Sequence, residues 1–105
     1  MKMIRAVVRP EKEDAVQAAL TKAGFAAMTR WDVLGRGKQS GVQVGKAVYE
    51  ELAKSMFMVV VEDDRLSYAI AAIRQSAFTG NPGDGKIIVS DVDSAYTIRT
   101  GTPDL

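Results

Sequence analysis

Ser55-Met56-Phe57-Met58-Val59-Val60-Val61-Glu62 is the stretch on which the reading of this chain turns. Its apolar run is too short for a helix of ordinary length and is dense in β-branched and aromatic residues, so it reads as a strand. Asp63 or Asp64 follows as a candidate helix cap, and Leu66, Ile70, Ile73 and Ala77 then recur at helical spacing, with Gly80 as the expected stop. Beyond a short Gly/Pro loop, Lys86-Ile87-Ile88-Val89-Ser90-Asp91-Val92 reads as another strand, and Ser94–Arg99 as a short further one.

The first half repeats this order. Residues 2–9 read as a strand ending at Pro10, which suits the first turn of a helix. Ala15, Val16, Ala19, Leu20 and Ala23 line that helix, and Gly24 ends it. Phe25 to Leu34 is then read as the second strand. Between the halves lies a long loop, about residues 36–53, opened by Gly35-Arg36-Gly37-Lys38-Gln39-Ser40-Gly41. Four glycines in the eleven positions from 35 to 45 predict a flexible excursion of a length that small domains usually keep for function. Two βαβ units joined in this way predict an α+β, ferredoxin-like fold with an antiparallel sheet and both helices on one face. The near-continuous apolar runs in the strands predict that the other face is also covered, through oligomerisation.

Composition narrows the chemistry. The chain has 105 residues, enough for one domain over 1–105, and contains neither Cys nor His. Disulfides, Cys-based metal centres and Ser–His or Cys–His catalysis are excluded. Fourteen basic against thirteen acidic side chains leave a net charge of +1, too balanced for a nucleic-acid or acidic-membrane surface. No apolar run approaches the roughly 20 residues of a membrane span, and the amino-terminal charges are interleaved with apolar residues, unlike a secretory signal. A cytoplasmic protein without membrane insertion is expected.

Two glycine-rich segments could carry binding chemistry. Gly80-Asn81-Pro82-Gly83-Asp84-Gly85-Lys86-Ile87 has the spacing of the first part of a P-loop, but Ile87 stands where Ser or Thr would hold Mg²⁺, and the segment runs from helix to strand. Successive amides in such a turn can still cradle an anion. A helix C-cap followed by a tight turn explains Gly80 and Gly83 equally well. The first segment has one residue too many for a dinucleotide fingerprint, and no helix follows it. Lys38, Lys46 and Lys54 add positive charge, and Arg99 adds another cation late in the chain. No general base or nucleophile accompanies them. Glu50-Glu51 and Glu62-Asp63-Asp64 are explained by solvation and capping. The residues describe a phosphate binder that does little chemistry, not an enzyme.

These features together resemble the PII nitrogen signalling proteins. The similarity rests on Thr79-Gly80-x-x-Gly83-Asp84-Gly85-Lys86-Ile87, Ile98-Arg99-Thr100-Gly101, the opening Met1–Ala6, Gly35-Arg36-Gly37-Lys38-Gln39 and Val59–Asp64. The shortened loop ending Tyr49–Lys54 and the tail from Ala95 to Gly101 resemble the nitrogenase-associated NifI branch, first type.

The resemblance implies a ferredoxin-like homotrimer with ATP or ADP in the clefts between subunits. Contacts would come from Thr29, Gly35, Gly37, Lys38 and Gln39, from Gly83, Asp84, Gly85 and Lys86, and from Arg99 of the last strand of a neighbouring subunit. It also implies Mg²⁺ held by Gln39, joining ATP to 2-oxoglutarate, with Lys54 pairing a carboxylate of the latter. The implied target is dinitrogenase, with a second NifI-type protein as possible co-subunit. The alternative is a general PII regulator of ammonium transport or nitrogen-assimilation enzymes. Thr97 stands where general family members commonly carry a second arginine, and Tyr49 does not match the spacing of their uridylylated tyrosine.

Overall fold

A computed structural model describes residues 1–36, 42–44, 47–49 and 51–105, with 42–44, 47–49 and 51 described as backbone only. Six strands and two helices are present among them: β1 (Lys2–Val8), α1 (Glu13–Lys22), β2 (Thr29–Arg36), β3 (Val42–Val44), β4 (Ala47–Tyr49), β5 (Glu51–Val61), α2 (Leu66–Ala77) and β6 (Gly85–Asp91). A 3₁₀ turn leads into each helix, Pro10–Lys12 before α1 and Asp63–Arg65 before α2. The main sheet has the order β2-β5-β1-β6, antiparallel at each pairing. This is the expected α+β, ferredoxin-like arrangement.

Side-chain alternation explains how the layers form. Ile4, Ala6 and Val8 on β1 and Phe57, Val59 and Val61 on β5 share one face, because Ile4 pairs with Val59 and Ala6 with Phe57. They join Val16 and Leu20 of α1 and Ala69, Ile73 and Ala77 of α2 in a single core. Complete burial of side chains such as Phe57 contributes about 1.5–3 kcal/mol each. Arg65 fastens the helical layer: its guanidinium lies 5.1 Å from the Phe25 ring and 5.3 Å from that of Tyr68, and donates to the Ala23 carbonyl at 2.8 Å.

The opposite sheet face carries Met3, Val7, Met56, Met58 and Val60, all half-buried, with Trp31 and Ile88 at 42% and 50% exposure. No described element packs over it.

Several boundaries differ from expectation. β2 begins at Thr29, because Phe25 turns inward to the core and residues 25–28 run irregularly before the ladder with β5 starts. β2 and β5 reach further into the long connection than expected, pairing to Gly35↔Leu52 and Arg36↔Glu51, and β3 pairs with β4 inside it. The segment read as unstructured is therefore partly a β ribbon.

Asp63 and Asp64 make no side-chain cap; Asp63 instead accepts the Met1 ammonium at 2.6 Å. α2 ends at Ala77, where Phe78 turns extended, so Gly80 belongs to the following loop and does not stop the helix. The short strand expected over Ser94–Arg99 is absent. That segment is a turn, closed by a Tyr96↔Pro103 bridge and by bonds from the Thr97 N–H to the Thr102 carbonyl and from the Gly101 N–H to the Thr97 carbonyl.

Candidate functional site

The register gathers the loop chemistry at one end of the sheet. Val8 pairs with both Ser55 and Gly85, so the end of β1, the early part of β5 and the start of β6 lie side by side. Arg9 follows β1, Lys54 precedes Ser55, and the loop from Thr79 to Asp84 delivers the chain into β6.

Asp84 organises that loop. Its carboxylate accepts the Thr79 N–H at 2.8 Å, the Gly80 N–H at 2.9 Å, the Thr79 hydroxyl and Arg9 Nε at 3.1 Å. The Thr79 hydroxyl above all, then the Thr79 amide, the Gly80 amide and Arg9, hold this carboxyl far below the usual carboxylate range. Asp84 is therefore an ion committed to shaping the loop.

Two cations grip the loop backbone. Arg9 Nη2 donates to the Pro82 carbonyl at 2.8 Å, and Lys54 Nζ to the Gly83 carbonyl at 2.6 Å. Lys54 is 9% exposed. Burial, with the Arg9 charge adding to it, lowers its pKa, while Glu11 and Asp84 oppose the shift. Gly35 belongs to the same construction: a Cβ there would stand 3.0 Å from Lys54 Cγ, so the lysine stem crosses where the backbone carries no side chain. Gly85 is stricter, since at φ +114° a Cβ would lie 1.7 Å from the Val7 carbonyl oxygen.

Lys86 is exposed on β6, opposite Val7. A cavity of about 380 Å³ beside it is lined by Val8, Ile73, Arg74, Phe78, Asp84 and Lys86 among others. Cations and amide-rich turns suit an anion such as a polyphosphate. Among the described residues, no group of three or more His, Cys, Asp or Glu could hold a metal ion.

The expected residues do not all converge within one chain. Gly35, Lys54, Gly83, Asp84, Gly85 and Lys86 cluster at this end. Thr29 lies six residues before Gly35 on β2, opposite Met58. β6 carries the chain to the other end of the sheet, where Lys2 pairs with Asp91, before Arg99 is reached. Arg99 sits in the terminal turn instead of a strand, and no hydrogen bond or ion pair among the described residues joins that turn to the loop. Gly37, Lys38 and Gln39 lie outside the described residues. Thr97 has its hydroxyl on Asp104 and its amide on Thr102, so it closes the turn. Arg9 is the member of this cluster that the sequence reading did not single out; its visible signal was a cation directly before the strand-ending Pro10.

Comparison with known proteins agrees with this architecture. The family model "Nitrogen regulatory protein P-II" matches residues 1–102. The chain belongs to the P-II family. Among P-II relatives, it is 55% identical over 100 residues to "Nitrogen fixation nifHD region glnB-like protein 1" of Methanococcus maripaludis, covering 95% of each chain. It is 49% identical over 105 residues to "Nitrogen fixation nifHD1 region GlnB-like protein 1" of Methanosarcina barkeri, covering both completely. A "Nitrogen regulatory protein P-II" of Mesorhizobium japonicum is 41% identical, with 96% of this chain and 94% of the relative covered.

Proposed function

We propose that this P-II protein is a non-enzymatic sensor that regulates nitrogen fixation, reading ATP or ADP together with 2-oxoglutarate and acting through the loop 36–53. The observation that carries the reading is the joining of Lys54 to the 79–86 loop: the Lys54 ammonium, at the base of the long connection, bonds the Gly83 carbonyl directly. A carboxylate competing for that ammonium and a phosphate seated on the neighbouring amides would be felt by the same few residues. The names of the nifHD-region relatives support the nitrogen-fixation assignment.

In this reading, nucleotide phosphates meet Gly83, Asp84, Gly85 and Lys86 of one subunit and Arg99 of its neighbour. Thr29, Gly35, Gly37 and Lys38 complete the cleft, and Gln39 holds Mg²⁺. The placement of Thr29 and Arg99 away from the loop within one chain favours a cleft shared between copies. The uncovered apolar sheet face, with Met3, Met58, Val60 and Ile88, favours association of copies, and the family resemblance implies that this assembly is a homotrimer. A second NifI-type protein is a possible co-subunit, dinitrogenase is the target, and the site of action is the cytoplasm. Effectors switch the protein only by binding one state of the loop better than the other.

Isothermal titration of 2-oxoglutarate with and without Mg-ATP tests the sensor. Binding that requires Mg-ATP is the expected result. Folded protein that binds neither ligand would overturn it. Inhibition of dinitrogenase by the purified protein, relieved by 2-oxoglutarate with Mg-ATP, tests the target; binding to an ammonium channel alone would favour the general regulator.

A further inference from the structure

We propose that Arg9 is a positioning residue for anion binding: by holding the Pro82 carbonyl from behind it turns the Gly83 N–H outward, next to the Asp84 N–H that Lys54 turns in the same way. The proposal deepens the reading of the 79–86 loop as a phosphate seat and rests on that reading.

The geometry follows from peptide planarity. In a trans peptide the C=O and the following N–H point in opposite directions, and this chain has no cis bond. Arg9 Nη2 holds the Pro82 carbonyl, so the Gly83 N–H points away from Arg9. Lys54 holds the Gly83 carbonyl, so the Asp84 N–H points away from Lys54. Gly83, at φ +100°, supplies the left-handed conformation between these two planes. Among the described residues neither amide has a protein acceptor. Paired amides of this kind are donors for a tetrahedral oxyanion.

Arg9 suits the task through its shape. One guanidinium serves two acceptors at once, Nη2 on the Pro82 carbonyl and Nε on Asp84, with both side chains largely withdrawn from water at 21% and 25% exposure. A lysine ammonium has the charge but lacks the planar fork. Arg9 is itself held in place by the paired end of β1 and by Pro10, which opens the next turn. It therefore transmits the position of the rigid sheet to a loop whose bonds from Thr79 to Asp84, apart from those of Arg9 and Lys54, are internal to it.

The test uses the full chain with Arg9→Ala and Arg9→Lys, compared by ¹⁵N–¹H spectra without ligand and by calorimetric titration of Mg-ATP. In Arg9→Ala, the Gly83 and Asp84 amide resonances should move while those of Ile4 and Phe57 stay, and Mg-ATP affinity should fall by about tenfold or more. Arg9→Lys should give an intermediate loss and still shift the Gly83 amide. Lost affinity with unmoved amides would show that Arg9 touches the ligand directly and would overturn the positioning role. Unchanged affinity and unchanged amides would overturn it as well. If the native protein binds no Mg-ATP, the nucleotide reading falls, and the amide shifts alone decide whether Arg9 orients the loop.

Discussion

The two ends of the sheet are built from the same kinds of groups and do different things with them. At the far end, the Met1 ammonium meets Asp63 and Lys2 meets Asp91, with the two carboxylates 68% and 79% exposed. Each contact joins two side groups or a terminus in water, where ion pairs are weak and salt-screened. At the loop end, Arg9 and Lys54 reach backbone carbonyls, and Asp84 gathers two amides, a hydroxyl and a guanidinium. The same charges tether the chain at one end and set peptide orientation at the other. Burial and the number of partners make the difference.

Substitutions can break this contrast in order of severity. Gly85→Ala should do the most damage, because its Cβ would overlap the Val7 carbonyl and force β6 off β1. A loss of about 3 kcal/mol or more in chemical denaturation is expected. Next, Asp84→Ala should free the Thr79 and Gly80 amides, raising their hydrogen-exchange rates on the order of tenfold while core amides stay protected. Equal loosening of the core would show that the carboxylate supports the fold as a whole.

The pH dependence sharpens the same point. Asp84 has a depressed pKa in the folded state, so its stabilisation is fully present above the ordinary carboxylate pKa and is lost progressively as pH falls from there through its lower folded value. The Thr79 and Gly80 amide shifts should therefore hold steady through the usual carboxylate range and change only in stronger acid. Lys54 has the same sign of pH dependence in a different window, because its pKa is also lowered, here by burial that disfavours the charged form. Its folded pKa lies below 10.5, so stability should rise with pH from that lowered value up to the unfolded one. Lys54→Met should remove that rise, which a comparison of denaturation midpoints across the alkaline range would detect. The smallest effect is expected at the far end: Lys2→Ala should leave the melting temperature unchanged within error at moderate salt.

Much of this protein was legible in its residues. Short runs of β-branched and apolar residues located the strands of the main sheet, and helical spacing located both helices, because residue type and spacing are local properties of the chain. The glycine loop announced itself through Gly80, Gly83 and Gly85 beside Lys86. The failures were also local. The β-formers of Ser94–Arg99 have no partner strand and fold into a turn. Asp63 looked like a cap until the amino terminus, distant in sequence, came within 2.6 Å. Phe25 looked like a strand residue until the core claimed it.

The sequence by itself determined the double βαβ order, the absence of thiol and imidazole chemistry, and the run of glycines beside Lys86 in the 79–86 loop. Only the tertiary structure decided which cations face that loop. Arg9 and Lys54 are 45 positions apart in the chain, and they meet Pro82 and Gly83 because the pairings of Val8 with Ser55 and Gly85 align the end of β1 and the start of β6 with the early part of β5. Register is a property of the assembled sheet, set by which face each strand buries. A shift by one residue would have turned those cations away from the loop.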